Sequence, residues 1–175
     1  MNSHIMRMKI ASVFVLLASA EMIGQDYMNK DSISIIPYPT SLHVLEGQFL
    51  VDEKTIIIAD HNSATFALAE ELAARFQQAA GLSIPIRSVG DDSNENAIWL
   101  HLDPQRSDLG EEGYYLEISS ASVYLSAATA HGLFYGWQTI RQLLPAEIER
   151  SEPKAEIEWT LPAVKIVDKP RFSWR

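Results

Sequence analysis

The stretch Thr129-Ala-His-Gly-Leu-Phe-Tyr-Gly-Trp-Gln-Thr-Ile-Arg-Gln-Leu-Leu-Pro145 fixes the architecture more than any other. Leu133, Phe134, Trp137, Ile140 and Leu144 recur at helical spacing and make a wide apolar stripe. Pro145 cannot continue a helix and marks its end. Within the stripe, Gly132 and Gly136 sit one turn apart. Glycine costs a helix interior roughly 1 kcal/mol relative to alanine. Two glycines on one face therefore predict that this helix, about 129–144, brings its backbone very close to another surface.

Working back toward the N-terminus, three segments alternate with period two. Ile98, Leu100 and Leu102 alternate with Trp99 and His101. Tyr114, Leu116 and Ile118 alternate with Tyr115 and Glu117. Val123 and Leu125 alternate with Tyr124. Such alternation predicts a sheet buried mainly on one face. Ser119-Ser-Ala121 is short enough to join the last two strands as an antiparallel hairpin. Thr55-Ile-Ile-Ile58 is β-branched and apolar on both faces, which predicts a central strand.

Ser63–Ala80 reads as a first helix. Phe66, Leu68, Ala69, Leu72, Phe76 and Ala79 lie on one face, and Glu70, Glu71, Arg75 and Gln78 on the other. Asn62 or Ser63 can cap its start and Gly81 its end. Ile84-Pro-Ile86 is at best an edge strand. Ile35-Ile-Pro-Tyr-Pro39 is extended, because its two prolines oppose helix and central strand alike. Glu46-Gly47 between Leu42–Leu45 and Gln48–Val51 predicts a hairpin turn. Residues 146–160 are charged and loop-like, and Leu161–Val167 is a last strand or connector. The expected class is α+β: a mainly antiparallel mixed sheet with two helices packed on one face.

The 175 residues suffice for one domain with its own core, and the apolar fraction of 47% fits a folded globular chain. A net charge of −9 with no cluster of Lys and Arg argues against nucleic acid or an anionic membrane as partner. The absence of cysteine removes disulfides, thiolate metal sites and cysteine nucleophiles. At the N-terminus, Met1–Met6 resembles a cloning scar. Arg7 and Lys9 then precede an apolar run, Ile10–Leu17, and Ala18-Ser-Ala20 offers a small-x-small cleavage site. That order predicts a signal peptide and an exported protein, periplasmic or extracellular in a bacterium. The alternative is a buried N-terminal strand or helix. The apolar run is too short to span a bilayer. The expected divisions are 1–34 (scar, signal peptide and lead-in), 35–168 (folded domain) and 169–175 (a junction).

Candidate chemistry is sparse. Of His4, His43, His61, His101 and His131, no two stand at i, i+3 or i+4, so no metal pair is suggested. His131 fits a surface or capping role and His101 the outer face of a strand. Asp91-Asp92, Glu95 and Glu111-Glu112 fall in loops or a turn, where solvation accounts for them better than acid–base work. No serine sits in a G-x-S-x-G elbow, and there is no phosphate loop or internal repeat. Tyr114, Tyr115, Tyr124, Tyr135 and Trp137 could make a sugar-stacking platform. Tyr114 and Trp137 fall on core faces, however, and Tyr115 and Tyr124 can equally be a cross-strand pair or a domain contact. No residue is assigned as catalytic, cofactor-binding or metal-binding.

Three segments carry a resemblance to a known family. They are Ile36-Pro-Tyr-Pro39 with Gly47 and Phe49; Glu112-Gly-Tyr-Tyr-Leu-Glu-Ile118 leading through Val123 to Gly132–Leu144; and Val164-Lys-Ile-Val-Asp-Lys-Pro-Arg-Phe-Ser-Trp-Arg175. Together, over about residues 35–175, they resemble the N-terminal non-catalytic domain of family 20 glycoside hydrolases, the β-N-acetylhexosaminidases. The resemblance implies a catalytic TIM barrel after the third segment, so the chain is expected to stop at that junction and to be inactive alone. It also implies substrate-assisted retaining hydrolysis of terminal β-linked N-acetylhexosamine, in which the sugar's 2-acetamido group attacks its own anomeric carbon. The Asp-Glu pair and the sugar-holding Arg and aromatics that serve it belong to the barrel, and no position here matches them. The implied partners are that barrel and the parent's glycan substrate, with no cofactor. Asp168, Arg171 and Arg175 match the junction, and Phe172 and Trp174 are expected to be partly orphaned without the barrel. A free-standing carbohydrate-binding module, or the accessory domain of a family 84 or 67 glycosidase, are the alternatives.

Overall fold

The computed structural model describes residues 33–90, 96–154 and 156–170. The targeting segment, the Asp91-Asp92 and Glu95 carboxylates, and Arg171, Phe172, Trp174 and Arg175 lie outside them.

Among the described residues, seven strands form one mixed sheet: β1 (Ser41–Leu50), β2 (Ile56–Ala59), β3 (Ile86–Ser88), β4 (Ala97–Leu102), β5 (Tyr114–Ile118), β6 (Ser122–Ala127) and β7 (Thr160–Asp168). Their order is β1-β7-β5-β6-β4-β2-β3. Two helices, α1 (Ser63–Ala80) and α2 (Ala130–Leu143), contribute to a single core on one face of it. The expected mixed sheet with two helices is therefore what forms. Its pairing changes character across its width. β1–β7, β5–β7 and β5–β6 are antiparallel, while β4–β6, β2–β4 and β2–β3 are parallel.

The parallel half explains the composition of β2. Parallel strands are covered on both faces, and all four residues of β2 are buried. Ile57 faces the main core. Ile56 and Ile58 join Ala97 in a small cluster on the opposite face, with Trp99 packed against it. On the core face, one row runs across the sheet as Ala59, Leu100, Leu125, Leu116, Ile166 and Leu42. Every member of that row is buried.

α1 begins where expected. The Asn62 side chain accepts from Ala64 N at 2.8 Å, and Gly81 ends the helix at φ 71°, the left-handed conformation that glycine adopts without a Cβ penalty. At the start of α2, the Thr129 hydroxyl accepts from Gly132 N at 3.2 Å. The two glycines then meet the sheet. A Cβ on Gly132 would lie 2.3 Å from the Gly113 carbonyl oxygen, and one on Gly136 would lie 2.2 Å from Leu125 Cδ1. The expected close approach is that of α2 to β5 and β6. Trp137, fully buried, donates its indole N–H to Glu71 Oε1 of α1 at 3.0 Å. This bond ties the two helices together.

Two expectations are corrected. Glu46-Gly47 does not turn the chain into a hairpin. β1 is one strand against β7, with two extra residues inserted between the pairs Val44–Val164 and Gln48–Pro162. Pro162 has no N–H to donate to the ladder, and Gly47 takes φ 95° at the irregularity. The signal was a bulge, which shares its glycine with a turn. Second, Phe134 is not in the stripe that faces the core. It is 47% exposed on the outer side of α2. Phe66, likewise, is only partly buried against the core.

Candidate functional site

Among the described residues, no helix covers the face of the sheet opposite the core, and the outward side chains there form the most organised polar group. A cross-strand row there reads Ile58, Trp99, Tyr124, Glu117, Lys165 and His43. Tyr115 and His101 flank it. Tyr115 meets Tyr124 edge to face, ring centroids 6.3 Å apart, as the alternating pattern suggested. His101 lies 6.4 Å from Tyr124 on the other side.

Charge surrounds the Tyr115 ring. Lys165 Nζ stands 5.3 Å and Arg106 Cζ 5.7 Å from its centroid, both within cation–π reach. The Tyr115 hydroxyl donates to Glu117 Oε2, and Lys165 Nζ stands 3.7 Å from the same carboxylate oxygen. Arg106 makes a two-pronged contact with Asp108, at 2.9 and 3.1 Å. Burial, then the bond to Glu117, pushes the Tyr115 phenol above its ordinary range. Hydrogen bonding to Tyr115, then its charge and that of Glu117, holds Lys165 more firmly protonated. The Asp108 contact does the same for Arg106.

A second junction lies at the end of β2. Asp60 Oδ2 accepts from Leu102 N at 2.7 Å and stands 3.4 Å from His101 Nδ1, while Oδ1 accepts from the Thr65 hydroxyl. One carboxylate thus joins β2, β4 and the first turn of α1.

In each group the carboxylate is engaged by donors or a cation in its immediate neighbourhood. Such an arrangement fixes side chains; it does not present an acid and a base across a substrate-sized gap. Among the described residues no three of His, Asp and Glu gather as metal ligands. His43, His61 and His131 are exposed and separate. Glu111 is exposed, and its backbone carbonyl accepts from the Thr129 hydroxyl.

The five aromatics considered as a platform divide among three places. Tyr114 and Trp137 are buried, the Tyr114 hydroxyl 2.6 Å from Thr139 Oγ1. Tyr115 and Tyr124 are on the open face, and Tyr135 packs beside Phe134 on α2. Arg106, Glu117 and Lys165 complete the open-face group, and sequence alone did not single them out. Lys165 and Glu117 become neighbours only through the β5–β7 register, which no local pattern encodes.

The whole described fold, from the approach segment to the end of β7, coincides with a known family unit. The family model for glycosyl hydrolase family 20, domain 2, matches residues 32–169. This chain belongs to glycosyl hydrolase family 20. Its segment of the family is domain 2, the non-catalytic N-terminal domain of β-hexosaminidases. A β-hexosaminidase of Porphyromonas gingivalis is 38% identical over 143 residues, covering 82% of this chain and 18% of that protein. The structure of the family 20 β-N-acetylhexosaminidase from Streptomyces coelicolor superposes with a TM-score of 0.70 at 30% identity, over 78% of this chain and 26% of that one. An N-acetyl-β-hexosaminidase of Streptomyces plicatus, solved in complex with Thio-NAglucal, gives 0.69 at 30% identity, over 81% and 27%. The chain thus spans between 18% and 27% of the length of these family 20 proteins. Among the described residues, no helix is long and apolar enough to cross a membrane.

Proposed function

We propose that this family 20 domain is the scaffolding part of an exported β-N-acetylhexosaminidase, whose catalytic TIM barrel follows it in the parent protein. The parent removes terminal β-linked GlcNAc or GalNAc from glycans by the substrate-assisted, retaining route, and residues 1–175 are inactive alone. The observation that carries this is the match to domain 2 across residues 32–169, in a chain that spans less than a third of its hexosaminidase relatives. Export is supported by Arg7 and Lys9, the apolar run Ile10–Leu17 and Ala18-Ser-Ala20. The division at about 34 and 168 has the same support as the family match, which begins and ends beside those positions.

The test is the anomeric form of the product. A chain extended through the barrel should release β-GlcNAc from a β-linked aryl glycoside, read by proton NMR before mutarotation. Initial release of the α-anomer would contradict the retaining route. N-terminal sequencing of the secreted protein should begin just after Ala20. A mature protein that retains Ile10–Leu17 would contradict the export reading.

A further inference from the structure

We draw no further inference here: the strongest candidate, the side-chain cluster of His101, Tyr124 and Tyr115 on the open face of the sheet, has its neighbouring cations and carboxylates engaged with one another, and nothing in the structure shows what covers it.

Discussion

At Gly132 the obstacle to any side chain is backbone. The Gly113 carbonyl oxygen would stand 2.3 Å from the new Cβ, whereas at Gly136 the nearest atom is a methyl of Leu125 at 2.2 Å. Alanine gains about 1 kcal/mol of helix propensity at either site. Overpacking a rigid neighbour costs about 1–3 kcal/mol, occasionally more. Gly132→Ala should therefore destabilise the domain by about 2 kcal/mol net in urea unfolding, and Gly136→Ala by less, since Leu125 can rotate. Glu71 accepts the indole N–H of a fully buried Trp137. Glu71→Ala strands that donor and should cost about 1–2 kcal/mol. Glu71→Gln keeps an acceptor and should cost clearly less.

Arg141 and Glu149 supply a pH-dependent residue-scale term. The Arg141 hydrogen bond, then its charge, holds the Glu149 carboxyl below the usual glutamate range. A carboxyl lowered by folding stabilises at pH above its unfolded value and loses that contribution as pH falls through the folded one. Arg141→Gln should therefore lower stability at neutral pH, and its deficit should shrink in acid. Glu149 is exposed and Arg141 half-buried, so salt should also shrink it. A deficit that stays constant from neutral pH to below the carboxylate range would contradict this assignment.

Among the elements, α1 was the most legible. Its bounds, its Asn62 and Gly81 caps and most of its buried face follow from local chemistry that the sequence displays directly. Asn62→Ala and Gly81→Ala should each cost about 1 kcal/mol. The effects should add, because the two caps are separated by the length of the helix; a strongly non-additive double variant would mean that the ends communicate. The hairpin of β5 and β6 was legible for the same reason, in that pattern and turn are both local. β1 was not. Whether Gly47 turns the chain or bulges it depends on whether β7, more than a hundred residues later, lies alongside. The parallel β2–β4 and β4–β6 pairings are likewise long-range facts, hinted at only by the β-branched run Ile56–Ile58. Phe134 was misplaced for a different reason. An apolar residue on a helix reads as core whether it faces the sheet or, like Phe134, the outer side.

On the scale of the whole molecule, the polar side chains of the described open face engage one another. The open-face group of Tyr115, Glu117, Lys165 and Arg106 is internally paired, and Asp60 knots β2, β4 and α1. Which of these residues engage one another is set by the strand register, which local sequence does not display. If the paired aromatics only brace the sheet, chitobiose should produce no saturable shift in the Tyr115 and Tyr124 ring signals of the 1–175 chain. A saturating shift would favour a carbohydrate-binding module. The most direct test of the account is the hydrolysis of p-nitrophenyl β-GlcNAc by residues 1–175 beside the chain extended through the barrel. The account predicts release of p-nitrophenol by the longer chain alone. Turnover by residues 1–175 would contradict it, because the reaction would then have to run on side chains of this domain.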